Sequence, residues 1–211
     1  MKVLVATRQP QKFLEIVEIF SGSPIRLVAL PELGLEPTRA EEELEAFDSF
    51  SANALAKARH FRDRSGLPTL ADDSGLRVDA LGGAPGVRSK RFAPAEMQAE
   101  MGTDTANNRY LLRLLRQVPE PERTARFVCA AAVALPDVER VFLGQTEGRI
   151  LTAPRGTGGF GYDPLFYVPD LGKTFAELSR EEKNLVSHRG KAFRAARAWL
   201  EAWAAEHPTR T

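Results

Sequence analysis

Ala71–Gly86, ADDSGLRVDALGGAPG, is the stretch on which the reading of this 211-residue chain turns. Two adjacent carboxylates, Asp72 and Asp73, follow the apolar Leu70 and Ala71 and precede Ser74 and Gly75. The pattern is read as a strand end that turns sharply into a loop, the place where α/β proteins carry their sites. Neighbouring side chains on an extended segment point to opposite faces, so the two acids are expected to do different work, one facing a cleft and one pinning the loop. Taken alone, DDSG also reads as an Asx turn whose aspartates bond their own backbone. After it, Leu76 to Leu81 alternates like a strand, and Gly82-Gly83-Ala84-Pro85-Gly86 is a loop open to close backbone approach by a ligand. Lys90 and Arg91 follow it.

Outward toward the N-terminus, Ser49 is placed to cap a helix with Phe50, Ala54, Ala58 and Phe61 on its apolar side and Gly66 as its stop. Asn53 and Lys57, four apart, share another face of that helix. The acidic run from Glu36 to Asp48, with Glu41, Glu42, Glu43 and Glu45, reads as a solvated loop or face. One acid from this run and Lys57 can both reach the Asp73 cleft. At the start of the chain, Val3 to Ala6 is a short strand, Thr7-Arg8-Gln9-Pro10 a polar loop, and a helix follows with Phe13, Ile16, Val17 and Phe20 on one face. Such a unit aims free backbone N–H groups and the positive helix end at whatever lies above the strand, and Lys12 adds a full charge. Any βα unit looks the same, and no glycine fingerprint singles this one out. Ile25 to Leu30 reads as a second strand.

Outward toward the C-terminus, a helix from about Thr105 to Val118 looks purely structural. Thr124 to Leu135 and Val138 to Gly148 read as a two-stranded ribbon joined at Pro136-Asp137. Next comes Gly156-Thr157-Gly158-Gly159-Phe160-Gly161-Tyr162-Asp163-Pro164, in which glycines free the backbone, Phe160 and Tyr162 offer flat faces and Asp163 an acceptor. These are the ingredients for holding a planar base by stacking and edge hydrogen bonds. Leu165 to Val168 is a last strand, and Ser179 to Glu182 fits a capping box for a helical segment carrying Lys183. Ser187-His188-Arg189-Gly190 interrupts or restarts it, before a terminal helix lined by Ala192, Ala196, Trp199, Leu200 and Trp203. Lys183, His188 and Arg189 are expected to gather as donors for an anion or a carbonyl oxygen.

Composition bounds these readings. With 43% hydrophobic and 27% charged residues, the chain fits one ordinary domain or two intimate lobes. A formal net charge of +1 gives no global case for nucleic acid or an acidic membrane surface, so anion binding must be local. Cys129 is the lone cysteine and sits in an apolar run, so no intrachain disulfide or cysteine metal site is expected, and a reducing cytoplasm fits. The first strand is expected at Lys2 or Val3, which leaves no room for a signal peptide. No apolar run approaches the roughly 18 residues a membrane span needs.

Five blocks in order, VLVATRQPQKFLEI, SFSANALAKA, ADDSGLRVDALGGAPGVRSKRFA, GTGGFGYDPLFYVP and KTFAELSREEKNLVSHRGKA, resemble the Ham1 family of inosine triphosphate pyrophosphatases nearly end to end. The resemblance implies an α/β fold, an elongated mixed central sheet with helical lobes flanking a deep substrate cleft. Residues 1–211 would form a single domain of two lobes, generally as a homodimer. It implies Mg2+-dependent hydrolysis of aberrant purine nucleoside triphosphates (ITP, dITP, XTP) to the monophosphate and pyrophosphate. Asp73 would activate water and, with Glu45, hold Mg2+, while Thr7, Arg8, Gln9, Lys12, Lys57, Ser74 and Lys90 surround the phosphates. Phe160 would stack on the base, with Gly161, Tyr162 and Asp163 shaping its pocket and Lys183, His188 and Arg189 completing recognition. Asp72 would hold the loop or make a secondary contact with the metal shell. The chain departs from the family where Gln9 replaces the usual Asn, Ala52 an acid and Arg88 a Tyr. Glu45 is chosen among its acidic neighbours by its spacing to Ser49-Phe50 and Lys57. Two rivals stay open: a pyrophosphatase for pyrimidine or other modified nucleotides, and a nucleotide-sensing or nucleic-acid-binding module without catalysis.

Overall fold

Thr69 to Val78 form one uninterrupted ten-residue strand, so Asp72-Asp73-Ser74-Gly75 does not turn and the separate strand expected from Leu76 is its continuation. The carboxylates find side-chain partners on neighbouring helices, and Gly75 avoids the left-handed region that a tight turn would ask of it.

The structure, a computed structural model, describes residues 1–207, the Glu42 side chain excepted. In chain order its elements are β1 (Lys2–Val5), α1 (Pro10–Ile19), β2 (Arg26–Ala29), α2 (Phe50–Ser65), β3 (Thr69–Val78), α3 (Ala95–Met101), α4 (Thr103–Leu114), β4 (Thr124–Ala134), β5 (Glu139–Ile150), β6 (Phe166–Val168), β7 (Lys173–Thr174), α5 (Arg180–Val186) and α6 (His188–Glu206). The strands are hydrogen-bonded in the order β2-β1-β3-β4-β5-β6-β7. β1 runs parallel to β2 and β3, and β6 antiparallel to β5 and β7, so the sheet is mixed.

The chain divides into two compact units. The first comprises Met1–Asp73, Cys129–Gly144 and the chain from His188 on; the second comprises Ser74–Val128 and Gln145–Ser187. In the first, the sheet is buried on both faces and alternation sorts its side chains. Val3, Val5, Leu70, Cys129, Ala131 and Val133 pack with Ile16, Phe193 and Ala196 of α1 and α6. Leu4, Ala6, Ala71, Ala130, Ala132 and Ala134 pack with Ala54, Ala58 and Phe61 of α2. The continuous apolar run of β4 is what a strand covered on both sides requires. In the second unit, Leu76, Val78, Phe127, Ile150 and Phe166 surround Phe175, with Leu111 and Leu115 from the α4 end.

Local signals set the helix ends. Pro10 occupies the first turn of α1, where no N–H is missed. Ser49 Oγ accepts the Ala52 N–H at 3.4 Å, and Gly66, at φ 67°, closes α2 in the left-handed region. A Ser179–Glu182 capping box starts α5, and Ser187 separates it from α6. The acidic run is more ordered than expected: Arg39–Glu45 is a 3₁₀ helix with a Thr38–Glu41 capping box. α3 escaped the sequence reading because none of its residues is buried, so no apolar period marks it. α4 begins and ends earlier than the expected Thr105 to Val118, and the two-residue β7 was not foreseen. Among the described residues no helix is long and apolar enough to cross a membrane.

Candidate active site

Leu70 faces α1 and α6 and Ala71 faces α2, so alternation along β3 sends Asp72 to the first side and Asp73 to the second. Asp72, buried, accepts from Lys12 Nζ at 3.0 Å and lies 3.6 Å from Arg189 Nε. Arg189 in turn binds the buried Glu15 of α1, Nη1 to Oε2, at 2.6 Å. Asp72 is thus tied to two cations brought by α1 and α6, a stronger commitment than the loop-pinning role expected of it. Glu15 had no part in the sequence reading, where its position among the apolar residues of α1 was the only hint.

On the α2 side, Asn53 Nδ2 donates to Asp73 Oδ2 at 2.8 Å. The same amide exchanges hydrogen bonds with the backbone of Phe47, fixing the approach to α2. One turn on, Lys57 Nζ reaches Glu45 Oε1 at 2.7 Å and the Asp72 carbonyl at 2.8 Å. Asn53 was placed on the Lys57 face from sequence but given no task; the i, i+4 spacing was the signal. Burial holds the Asp73 carboxyl above the ordinary carboxylate range, and Glu45 adds to this against the pull of Lys57, Asn53 and Lys12. Burial opposes the Lys57 ammonium, but Glu45, Asp72 and Asp73 outweigh it and raise its pKa. A carboxyl of raised basicity beside a firmly charged lysine can take up a proton next to a charge that attracts anions.

Above β1, Thr7 Oγ1 accepts the Gln9 N–H at 3.2 Å, and Gln9 caps α1 without using its side chain. Arg8 does not join the Asp72–Lys12 group. Its guanidinium forks onto Glu41 at 2.8 and 3.0 Å and donates to the Leu35 carbonyl at 2.6 Å. Glu41 also takes Arg64. Within the acidic run, Glu41 serves this cluster, Glu43 is exposed and Glu45 meets Lys57; the Glu42 side chain lies outside the described residues.

The second unit holds the remaining candidates. Asp163, buried, receives Lys183 Nζ at 2.7 Å and the Phe160 N–H at 2.9 Å. Lys183 Nζ stands 4.6 Å from the Phe160 ring centroid, a cation–π contact on the half-buried ring. Gly159, at φ 72°, lies so close to Asp163 that a Cβ there would collide with its carboxylate. Tyr162 departs from expectation: instead of offering a flat face it is buried in the core, and its hydroxyl donates to the Ser89 carbonyl at 2.8 Å. Ser89 Oγ accepts from Leu76 N–H, and the buried Asn107 donates to the Ser89 and Lys90 carbonyls, so the backbone under the exposed Lys90 is fixed. Ser74 is half-buried on β3. Of the three donors expected to gather, Lys183 belongs to this unit and pairs with Asp163. His188 and Arg189 belong to the first unit, where Arg189 is taken up by Glu15 and Asp72.

The Ham1 family model matches residues 3–199. A dITP/XTP pyrophosphatase of Frankia alni is 48% identical over 197 residues, 92% of this chain and 94% of that protein. A dITP/XTP pyrophosphatase of Thermus thermophilus is 46% identical over 211 residues, 100% of this chain and 95% of the relative. The solved structure of a HAM1 protein from Coxiella burnetii superposes with a TM-score of 0.82 at 35% identity, covering 96% of this chain and 99% of the other.

Proposed function

Because this chain belongs to the Ham1 family, we infer that it is a nucleoside triphosphate pyrophosphatase that cleaves aberrant purine nucleotides, ITP, dITP and XTP, to the monophosphate and pyrophosphate. The observation that carries the chemistry is the convergence of Glu45, Lys57 and Lys12 on Asp72 and Asp73 in the middle of β3. Water attacks the α-phosphorus in line, its proton passes to Asp73, and the bond to the β-phosphate oxygen breaks. Lys12 and Lys57 neutralise the departing pyrophosphate, and Thr7 and Gln9 complete the phosphate surroundings. Arg8, held by Glu41, contributes through the order of the loop rather than by direct charge.

The donor set fits Mg2+. The ligands on offer are oxygens, and Glu45 and Asp73 sit on the same lysine, with Asp73 raised partly by Glu45, a repulsion a divalent ion relieves. Among the described residues no group of three or more His, Cys, Asp or Glu side chains could hold a metal. Mg2+ keeps its waters and takes phosphate oxygens, so two protein carboxylates are enough for it. When bound by Glu45 and Asp73 it would neutralise phosphate charge and lower the pKa of the attacking water.

The base is assigned to the second unit, with Phe160 as the stacking ring, Gly161, Tyr162 and Asp163 as its frame and Lys183 as donor. Donors to a 6-oxo group meet an amino group in adenine, so ATP should be rejected by on the order of 10⁴-fold. The phosphate cluster is indifferent to the base, which keeps a pyrophosphatase for pyrimidine or modified nucleotides as the second reading. We place the enzyme in the cytoplasm, supported by its lone buried Cys129, and as a homodimer, which sedimentation would test. The deciding experiment is a panel of ITP, dITP, XTP, GTP, ATP and CTP with Mg2+, scored for pyrophosphate against orthophosphate. Stepwise orthophosphate release refutes the cleavage site, and equal efficiency for ITP and ATP refutes the base assignment.

A further inference from the structure

The glycine-rich segment before Pro164 has little of its own to hold Phe160 in place, yet the polar groups on either side of that ring are all bound. The Phe160 N–H goes to Asp163 at 2.9 Å, the Gly161 N–H to Asp104 Oδ2 at 2.7 Å, and the Gly161 carbonyl accepts Asn108 Nδ2 at 2.8 Å. Asp104 and Asn108 are four apart on α4 and therefore share a face. Gly161 itself sits at φ 60°, a region in which glycine is flexible unless tied down. A second observation concerns Asn108 alone: its Oδ1 is buried without a hydrogen-bond partner. An orphaned acceptor costs on the order of 1–3 kcal/mol, and asparagine is an indifferent helix former. Core packing does not explain a residue that carries both costs; delivering Nδ2 to Gly161 does.

We propose that Asp104 and Asn108 are positioning residues for base recognition, an α4 clamp that grips the two peptide groups flanking the Gly161 Cα and so sets the angle at which Phe160 meets a planar base. The inference rests on the reading of Phe160 as the stacking ring. The clamp acts on base selection and not on the phosphate chemistry.

The test compares Asp104→Ala, Asp104→Asn, Asn108→Leu and Phe160→Ala, each alone, and Asp104→Ala combined with Phe160→Ala, using dITP and dATP with saturating Mg2+. Asp104→Ala should raise KM for dITP about 5- to 10-fold, the scale of one hydrogen bond, and narrow the dITP/dATP preference, with the loss falling on KM more than on kcat. Asp104→Asn keeps an oxygen for the Gly161 N–H and should recover most of the loss. Asn108→Leu should resemble Asp104→Ala; if it does not fold, the exposed Asp104 pair still decides the matter. In the Phe160→Ala background, Asp104→Ala should add less than about twofold, because residues acting through one ring are not additive. Fully additive losses, or an Asp104→Ala enzyme with unaltered KM and preference, overturn the clamp. A Phe160→Ala enzyme that selects bases normally overturns the stacking reading and the clamp with it, whereas an effect of Phe160→Ala alone overturns only the clamp.

Discussion

Asp72 and Asp73 share a peptide bond but meet different helices, and their charges have different consequences. Asp73 has one amide donor from Asn53 and the nearby Lys57, so it can take a proton. Asp72 sits between Lys12 and Arg189 and stays committed to them. Asp73→Asn removes the basic oxygen at constant volume, and turnover should fall by at least ~10²-fold without recovery at high Mg2+. Asp72→Asn should leave more activity but less stability. It strips one carboxylate from a buried group whose rupture typically costs about 3–5 kcal/mol, softened here because Glu15 still holds Arg189. Glu45→Gln should raise the Mg2+ requirement while part of the maximal rate returns at high metal. Titrating Mg2+ with ITP for all three, beside melting curves, separates these outcomes; a dead Asp72→Asn with a metal-responsive Asp73→Asn would exchange the two roles.

Elements deliver these groups, and their ends fail in different ways. Gly159, at φ 72°, lies in the glycine-rich loop that carries Phe160. Gly159→Ala, forced into the left-handed region and against the Asp163 carboxylate, should disturb the Asp163–Lys183 pair and Phe160. KM for ITP should then rise about tenfold, with the Mg2+ requirement as in the parent. In the middle of α2, Arg59 holds Glu139 of β5 in two hydrogen bonds, at 2.6 and 2.8 Å, and keeps its carboxyl below the usual range. A depressed folded pKa means this contribution is complete above the ordinary carboxylate range and is lost as pH falls through the lower value. Arg59 is half exposed, so the pair is worth only about 0.5 kcal/mol. Melting temperatures of parent and Glu139→Gln should differ slightly near pH 7 and converge near pH 2. The element ends are legible where Ser49 and Ser179 offer a capping hydroxyl and Gly66 lacks the Cβ that the left-handed region penalises. DDSG was misread because its turn-forming residues are satisfied by Lys12, Arg189 and Asn53, partners a local reading cannot supply. α4 was taken as purely structural because the two groups it offers to Gly161 are distant in sequence.

At the scale of the whole molecule, β3, β4 and β5 each contribute residues to both units. Sequence patterning exposed β4 and β5 but broke β3 at DDSG, and it did not locate the division within the strands, because alternation reports which side of a sheet is buried and not which helices cover it. Neither unit can lose its share of the sheet without cutting three strands midway, so unfolding should be a single event. The two tryptophans, Trp199 and Trp203, both lie on α6 in the first unit and report on it alone. Phe175 lies in the second, stacked on Phe127 at 5.6 Å and tilted against Phe166 at 4.9 Å, with no exposed surface. Phe175→Ala should cost about 3–5 kcal/mol through the cavity it leaves, a fall in melting temperature on the order of 10 °C for a chain of this length. The tryptophan fluorescence transition should move by the same amount as the far-ultraviolet circular dichroism transition, although the mutated side chain belongs to the other core. A tryptophan transition that stays in place while the dichroism splits in two would show that the strands transmit no stability past Asp73 and Cys129, and that each unit melts on its own.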